Sequence, residues 1–155
     1  MIDKIISQVL RLSNDPQWNV RCSVVSTLLE LGRETNSEDK KKQIINTMLK
    51  LAADPHPTVR KNEASALKKI TDFDIMEYSD NDFIRSLIEH CDDELWEIRL
   101  FAARELEYLC DKIPVEFIEE VARKLKLMSE DENYHVRESA KIALERIQEA
   151  RFIEI

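Results

Sequence analysis

The stretch Asp54-Pro-His-Pro-Thr-Val59-Arg60 is one of four copies of a single pattern in this chain. Successive arginines of the pattern lie 39, 39 and 38 residues apart, at 21, 60, 99 and 137. A period of this length predicts a repeat architecture, in which each copy belongs to one supersecondary unit that stacks on the next. The other copies are Asp15-Pro-Gln-Trp-Asn-Val20-Arg21, Asp93-Glu-Leu-Trp-Glu-Ile98-Arg99 and Asp131-Glu-Asn-Tyr-His-Val136-Arg137.

Apolar residues recur at fixed distances on both sides of this pattern. They stand eight and eleven residues after its Val or Ile, and offsets 0, 8 and 11 share one helical face. They also stand ten and six residues before its Asp, a spacing typical of a second amphipathic helix. Each repeat is therefore predicted to be a helical hairpin with the pattern in its turn. The positions are Leu28, Leu67, Leu106 and Leu144; Leu31, Ile70, Leu109 and Ile147; Ile5, Ile44, Phe83 and Val121; and Val9, Met48, Leu87 and Leu125.

The hairpins predict eight helices in an all-α protein. A helix pair cannot bury its apolar faces alone, so we expect the pairs to stack into an α-solenoid. The repeats at about 1–36, 37–77, 78–112 and 113–150 would form one domain over 1–155, with an apolar tail at 151–155. The predicted first helices are 2–13, 38–52, 80–91 and 114–129, and the predicted second helices are 17–34, 57–71, 95–111 and 133–150.

Residues that favour helix ends stand at several of these boundaries. Pro57 suits a first helical position, where the missing N–H costs nothing, and Pro114 suits the first turn of its helix. Asn36-Ser37 predicts a helix start, as does the S-x-x-D pattern from Ser79 to Asp82.

The chain of 155 residues contains a single glycine, Gly32. Average usage of about 7% would give roughly eleven. Phosphate-binding loops and nucleophile elbows need several glycines, so P-loop, Rossmann, kinase and α/β-hydrolase enzymes are excluded. Gly32 itself is predicted to cap the C-terminal end of the first repeat's second helix.

The four segments resemble HEAT repeats, in particular the short HEAT-like repeats of phycobilisome-lyase-related proteins. In that type the second helix opens with Asp-Pro-x-x-x-Val-Arg and continues with alanines towards a leucine. The resemblance covers nearly the whole chain and implies a right-handed superhelix. It says little about function, because one fold hosts many roles. The alanines at the close-packing positions are Ala64, Ala102, Ala103 and Ala140.

The resemblance also implies a structural role for the most regular charges. The four aspartates would cap the turn or the second helix, and the four arginines would hydrogen-bond to the turns of adjacent repeats. A carboxylate near a helix N-terminus is favoured by the free N–H groups and the dipole. These residues are Asp15, Arg21, Asp54, Arg60, Asp93, Arg99, Asp131 and Arg137.

A bulky residue stands two positions before each Val or Ile of the pattern. We interpret these residues as hydrophobic staples at the start of the second helices. A ligand-stacking site is the weaker interpretation, because repeating positions are separated by a full repeat. The residues are Trp18, Pro57, Trp96 and Tyr134.

No catalytic residue, metal or cofactor is predicted. His56, His90 and His135 lack the i, i+4 spacing that places two ligands on one helical face. The one remaining candidate, His90-Cys91-Asp92-Asp93, is contiguous, so its side chains splay around a helix. The sequence also lacks the His-Glu pairs of HEAT-like di-iron hydroxylases. Its three cysteines, Cys22, Cys91 and Cys110, are expected to be small buried hydrophobes.

The resemblance implies that the second helices line a concave surface. If offsets 0, 4, 8 and 11 from the Val or Ile face the core, offsets 2, 6, 9 and 13 point away from it. Exposed apolar residues beside charges are an ordinary composition for a protein-binding surface. The alternative is that Leu29, Leu100 and Ile142 merely pack against neighbouring repeats. The predicted partner-binding residues are Lys61, Ser65, Lys68, Leu100, Arg104, Glu107, Glu138 and Ile142.

Charge and hydropathy limit the class of partner and the cellular location that we expect for this protein. The net charge is -8, and only the second repeat is net positive, so nucleic-acid binding is disfavoured. Charged residues interrupt Ile2 to Leu12, so neither a signal peptide nor a membrane span is predicted, and we expect a cytoplasmic protein. The tail at 151–155 is expected to fold back over the last repeat or to mediate self-association.

The sequence thus predicts a non-catalytic interaction or scaffold module that binds a protein or peptide on its concave surface. An accessory or lyase-like subunit of an enzyme complex is the alternative.

Overall fold

The computed structural model describes residues 1–70 and 80–151, without the side chains of Lys68, Ile70 and Asp80. Within these ranges every regular element is an α-helix, which confirms the predicted all-α class. The predicted bounds differ from the observed ones by at most three residues, at the end of the sixth helix. The helices are α1 (Ile2–Leu12), α2 (Trp18–Glu34), α3 (Glu38–Leu51), α4 (Pro57–Ile70), α5 (Asp80–His90), α6 (Trp96–Tyr108), α7 (Val115–Met128) and α8 (Tyr134–Arg151).

The chain forms two compact units, Met1–Asp80 and Asn81–Ile155. In the first unit α2 packs against α1, α3 and α4, and α3 also contacts α1 and α4. In the second unit α8 packs against α6 and α7. The helices follow one another as consecutive hairpins, as the repeat pattern predicts.

The core of each unit is built from the repeating apolar positions. Leu28, Leu67 and Leu106 are fully or almost fully buried, at 0%, 1% and 0% exposure. The predicted close-packing alanines are buried as well, which allows neighbouring helices to approach closely. These are Ala64, Ala102, Ala103 and Ala140.

The helix starts follow the predicted capping residues with one exception. The Ser37 hydroxyl accepts a hydrogen bond from the Lys40 amide at 3.3 Å and caps α3, and α4 begins at Pro57. Pro114 was expected inside the first turn, but it precedes α7 as the N-cap, with ψ at 142°. Extended backbone at that ψ cannot belong to a helical turn. The predicted helix start at Ser79 lies outside the described residues.

The prediction for Gly32 is wrong. Gly32 lies inside α2, and the helix continues to Glu34 with Thr35 as its C-cap. Gly32 is buried against α3, since a Cβ added there would lie 3.7 Å from Ile44 Cδ1. The methyl group of an alanine would therefore fit at an ordinary contact distance from α3.

The end of α8 is held to the loop before α7. The Arg151 guanidinium donates to the carbonyl of Cys110 at 3.2 Å and also to that of Ile113. The rest of the predicted tail, residues 152–155, lies outside the described residues. No helix in the described ranges is long and apolar enough to cross a membrane.

Candidate interaction surface

Each hairpin turn is closed by its own aspartate. In all four repeats the Asp side-chain Oδ1 accepts a hydrogen bond from the amide two residues later, at 2.9 to 3.0 Å. The Asp amide donates to the carbonyl three residues earlier, at 3.0 to 3.2 Å. The carboxylate thus satisfies a turn amide that would otherwise lack an intrahelical partner. The pairs are Asp15 with Gln17, Asp54 with His56, Asp93 with Leu95, and Asp131 with Asn133.

Each arginine of the pattern holds the same turn from the other side. Its Nη1 donates to the main-chain carbonyl of the Asp six residues earlier, at 2.7 to 2.9 Å. This contact is repeated in Arg21, Arg60, Arg99 and Arg137. The turn is therefore fixed to the first turn of the second helix in every repeat.

Within each unit, one arginine also reaches the next repeat. Arg21 Nε and Nη2 contact the Asp54 carboxylate at 2.7 and 3.0 Å, and Arg99 contacts Asp131 in the same way at 2.8 and 3.1 Å. These ion pairs are bidentate and lie between two consecutive turns. The Arg99 and Asp131 side chains are only 12% and 10% exposed. Such charge-assisted pairs fix geometry as well as adding energy.

The surroundings of Asp54 and Asp131 lower the pKa of both carboxyl groups. Burial alone would raise the pKa of Asp54, but hydrogen bonds from Arg21 and from the His56 amide outweigh it and hold that pKa below its usual value. The pKa of Asp131 is lowered in the same way. Desolvation would raise it, but hydrogen bonds from Arg99 and from the Asn133 amide outweigh that effect. Both carboxylates are therefore stabilised in the charged form.

The bulky residues at the starts of the second helices contact histidines. The Trp18 indole stacks on His56 of the next repeat, with ring centroids 4.3 Å apart and planes 6° apart. Trp96 lies near His135 of the next repeat in the same manner, at 6.2 Å and 28°. Both indoles remain partly exposed, at 43% and 38%. These two ring contacts link one repeat to the next, whereas Tyr134 contacts His135 and Arg137 of its own helix. The staple interpretation stays a prediction.

The predicted partner-binding residues of the second unit share the exposed side of α6 and α8. Ile142 is 45% exposed, Arg104 is exposed, and Leu100 is half-buried. Glu107 and Glu138 are half-buried, and Glu107 lies 3.9 Å from Arg146, so the two helices meet along this side. We call these five residues the α6–α8 surface.

The first unit offers a more polar surface. Lys61 and Ser65 on α4 are exposed, while the Lys68 side chain lies outside the description. Leu29 on α2 is only 6% exposed, so it packs against neighbouring helices, as the alternative interpretation of its position allowed. The lysines of the second repeat are divided between α3 and α4.

The side chains from His90 to Asp93 do not form one site, because they contact different parts of the second unit. His90 is buried with its ring edge-on to Phe101, and the Cys91 thiol donates to the Leu87 carbonyl at 3.3 Å. Burial raises the pKa of Cys91 to about 12, so its thiol is not a nucleophile at neutral pH. Asp92 pairs with Lys124 on α7. Across the described ranges no three His, Cys, Asp or Glu side chains form a group that could hold a metal ion.

The sequence analysis missed two buried acids, Glu63 on α4 and Glu105 on α6, which is 5% exposed. Glu63 on α4 has 0% exposure, and neither of its carboxyl oxygens has a hydrogen-bond partner among the described residues. It stands four residues after Val59, where the other repeats have Val24, Ala102 and Ala140. Desolvation raises its pKa well above the usual value. A charged residue at an offset predicted to face the core was the signal available in the sequence.

The Asp, Val and Arg of the first turn lie inside a segment that matches a known family model. A family model described as HEAT repeat matches residues 5–34. That segment contains most of α1, the turn that follows it and all of α2. No curated protein matches the chain.

Solved structures agree with a HEAT-like or armadillo-like arrangement. A designed armadillo repeat protein in complex with the peptide (KR)4 superposes with a TM-score of 0.67 at 17% identity, covering 92% of this chain and 64% of that one. An engineered protein from a structural genomics consortium gives 0.67 at 18% identity, covering 94% and 63%. Another designed armadillo repeat protein gives 0.63 at 18%, covering 92% and 64%. This chain thus spans less than two thirds of their lengths, and the similarity concerns the fold.

Proposed function

We propose that this chain is a non-catalytic module that binds a protein or peptide segment along the exposed side of its second helices. The supporting observation is the α6–α8 surface, where Leu100 and Ile142 lie beside charged side chains. Apolar contacts supply binding energy there, and the surrounding charges supply specificity. The bidentate Arg99 to Asp131 pair joins the turns that precede α6 and α8, and neither residue belongs to the α6–α8 surface.

The charge distribution narrows the class of partner. Residues 81–155 contain 11 Lys and Arg and 19 Asp and Glu, whereas residues 1–80 contain 12 of each, which together make the 23 and 31 of the chain. The entire net charge of -8 therefore belongs to the second unit. An acidic potential raises the association rate of basic segments and disfavours acidic ones. We infer a partner segment rich in Lys and Arg, and the designed neighbour in complex with (KR)4 supplies a precedent on a related fold.

Titration of a fluorescently labelled (KR)4 peptide tests this proposal. We expect saturable binding that weakens as salt rises. The double substitution Glu107→Lys and Glu138→Lys should weaken binding at least about tenfold, which corresponds to about 1.4 kcal/mol. The matched control is Glu116→Lys and Glu119→Lys on α7, which changes the net charge equally at exposed positions outside the α6–α8 surface.

The comparison of the two double variants decides the outcome. Equal loss in both would mean that only net charge matters and would contradict the α6–α8 surface as the binding site. Equal affinity of the unaltered chain for (KR)4 and for an acidic peptide of the same length would contradict the basic partner. An accessory role in an enzyme complex, as the resemblance to phycobilisome-lyase-related repeats implies, stays a prediction.

A further inference from the structure

Three aromatic side chains are exposed where α6 and α8 begin. Trp96 is 38% exposed, Tyr134 is 62% exposed, and His135 is exposed as well. The centroid of the His135 ring lies 6.2 Å from that of Trp96 and 5.6 Å from that of Tyr134. The three rings therefore form one exposed cluster, which we call the turn aromatics.

The turn aromatics continue the α6–α8 surface towards the start of both helices. Leu100 stands four residues after Trp96 on α6, and Glu138 stands four residues after Tyr134 on α8. Residues four apart in a helix lie on the same face. A partner segment that crosses the α6–α8 surface therefore meets these rings at one end of it.

The turns that carry these rings are strongly acidic. Residues 92–99 and 130–137 contain seven Asp and Glu and two Arg, which gives a net charge of -5. The matching residues of the first unit, 14–21 and 53–60, contain two Asp and two Arg and are neutral. The acidity is therefore a property of the turns of the second unit and not of the repeat pattern.

Two of the acidic residues are exposed close to the rings in sequence. Glu94 stands two residues before Trp96, and Glu132 stands two residues before Tyr134. The positive ends of the two helix dipoles would by themselves disfavour a cation, but the turn aspartates already accept amide hydrogen bonds there. The face of an aromatic ring carries partial negative charge, so exposed rings in an acidic field attract a cationic side chain.

The second unit already places arginines over aromatic rings. The guanidinium carbon of Arg137 lies 5.8 Å from the centroid of the Tyr134 ring, and that of Arg85 lies 5.4 Å from the centroid of the Phe117 ring. A planar guanidinium can stack on a ring while its N–H groups donate to carboxylates, whereas a lysine ammonium is a point charge that cannot stack. Rings beside carboxylates therefore favour arginine over lysine.

The first unit lacks two of these features at the matching positions. Trp18 and His56 stack with centroids 4.3 Å apart and planes 6° apart, so each ring covers a face of the other. Pro57 stands where the last repeat has Tyr134, so no third ring is present there. Together with its neutral turns, this makes the first unit an internal comparison for the second.

We propose that the turn aromatics bind the guanidinium of an arginine in the partner segment, while the acidic turns around them pair with its charge. This inference rests on the proposed function and deepens it, because it assigns a preference for arginine over lysine to one end of the α6–α8 surface.

Titration with two labelled peptides of equal length and charge, (KR)4 and an all-lysine peptide, tests this inference. The unaltered chain should bind (KR)4 at least about fivefold more tightly than the all-lysine peptide. Trp96→Ala and Tyr134→Ala should each remove most of that preference, because each deletes a ring on which the guanidinium stacks. Trp18→Ala is the matched control, since it deletes an indole that is 43% exposed in the neutral turns, and it should keep the preference.

The pattern of losses separates this inference from the proposed function. Tyr134→Ala should melt like the unaltered chain, because Tyr134 is 62% exposed, so its effect on binding does not depend on folding. Equal affinity of the unaltered chain for the two peptides, or an arginine preference that survives in both Trp96→Ala and Tyr134→Ala, would overturn the inference. The proposed function would still stand if Glu107→Lys with Glu138→Lys weakened binding in that case, whereas failure of the unaltered chain to bind (KR)4 would overturn both.

Discussion

Gly32 lies in a helix interior where the neighbouring side chain leaves room for a methyl group. It lies inside α2 with helical neighbours on both sides. Glycine in a helix interior costs about 0.5–1 kcal/mol relative to alanine, because the unfolded backbone is freer. The nearest atoms to an added Cβ are Ile44 Cδ1 at 3.7 Å and Cγ2 at 3.9 Å, which are ordinary contact distances.

We therefore expect Gly32→Ala to raise the free energy of unfolding by about 0.5–1 kcal/mol, measured by urea denaturation. Gly32→Leu is the matched comparison, since its longer side chain must displace Ile44 and should lower stability. Destabilisation by alanine would show that the contact with α3 tolerates no added methyl group.

Glu63 makes stability depend on pH in a direction opposite to that of the paired aspartates. Its pKa in the folded chain is raised above the unfolded value of 4.5 by burial. The stability linked to this group is complete below the unfolded pKa and is lost as the pH rises through the folded pKa. We expect Glu63→Gln, which cannot ionise, to unfold at higher urea concentration than the unaltered chain at pH 8, and to lose less stability between pH 5 and pH 8.

Glu119→Gln on α7 is the control for this comparison, because Glu119 is exposed. Its stability should depend on pH in the same way as that of the unaltered chain. A Glu63→Gln chain with the same slope between pH 5 and pH 8 would mean that Glu63 does not carry the dependence.

At the scale of the element, the arginine side chain joins a helix to two turns at once. Arg99 on α6 donates to the carbonyl of Asp93 in its own turn and to the carboxylate of Asp131 in the next. Arg137 on α8 makes the same bond to its own turn, at 2.8 Å from the Asp131 carbonyl. Comparing the two residues separates the turn contact from the inter-repeat contact.

We expect Arg99→Ala to lower the free energy of unfolding by about 2–3 kcal/mol, because it leaves the Asp131 carboxylate poorly solvated and unpaired. Arg137→Ala should cost about 1 kcal/mol, because it removes hydrogen bonds to carbonyls and a contact with the Tyr134 ring but leaves no buried ion pair broken. Thermal and urea unfolding measure both values. Both variants should retain (KR)4 binding, and a normal melting curve with lost binding in Arg99→Ala would assign the arginine to the partner site.

Helix positions could be predicted because two periodicities coincide in this sequence. The four copies of the Asp to Arg pattern locate the turns, and the apolar offsets assign a helix to each side. The prediction was least accurate at α6, which ends at Tyr108, where Leu109 adopts a non-helical ψ of 12°. Local turn bonds such as Lys112 N to Leu109 O then replace the helical ones, and no glycine or proline marks that change.

For the whole molecule, periodicity predicted the repeats, but it treats every repeat as equivalent. Exposure depends on which neighbours a repeat has, so Ile5 and Ile44 share an offset and differ in burial, at 43% and 3%. The same limitation concealed Glu63, whose offset belongs to the core. The α6–α8 surface could be outlined from helical geometry, but its meeting point at Glu107 and Arg146 required three-dimensional contacts.

The two tryptophans of the chain are divided between the two units, Trp18 in the first and Trp96 in the second. Each indole lies beside an imidazole from the following repeat of its own unit, His56 or His135. Its emission therefore changes when that unit loses its packing. In a Trp96→Phe chain the remaining fluorescence reports on residues 1–80 alone, and in a Trp18→Phe chain it reports on the other half. The protein thus carries two built-in optical probes, one for each half, and their melting curves distinguish concerted from stepwise unfolding.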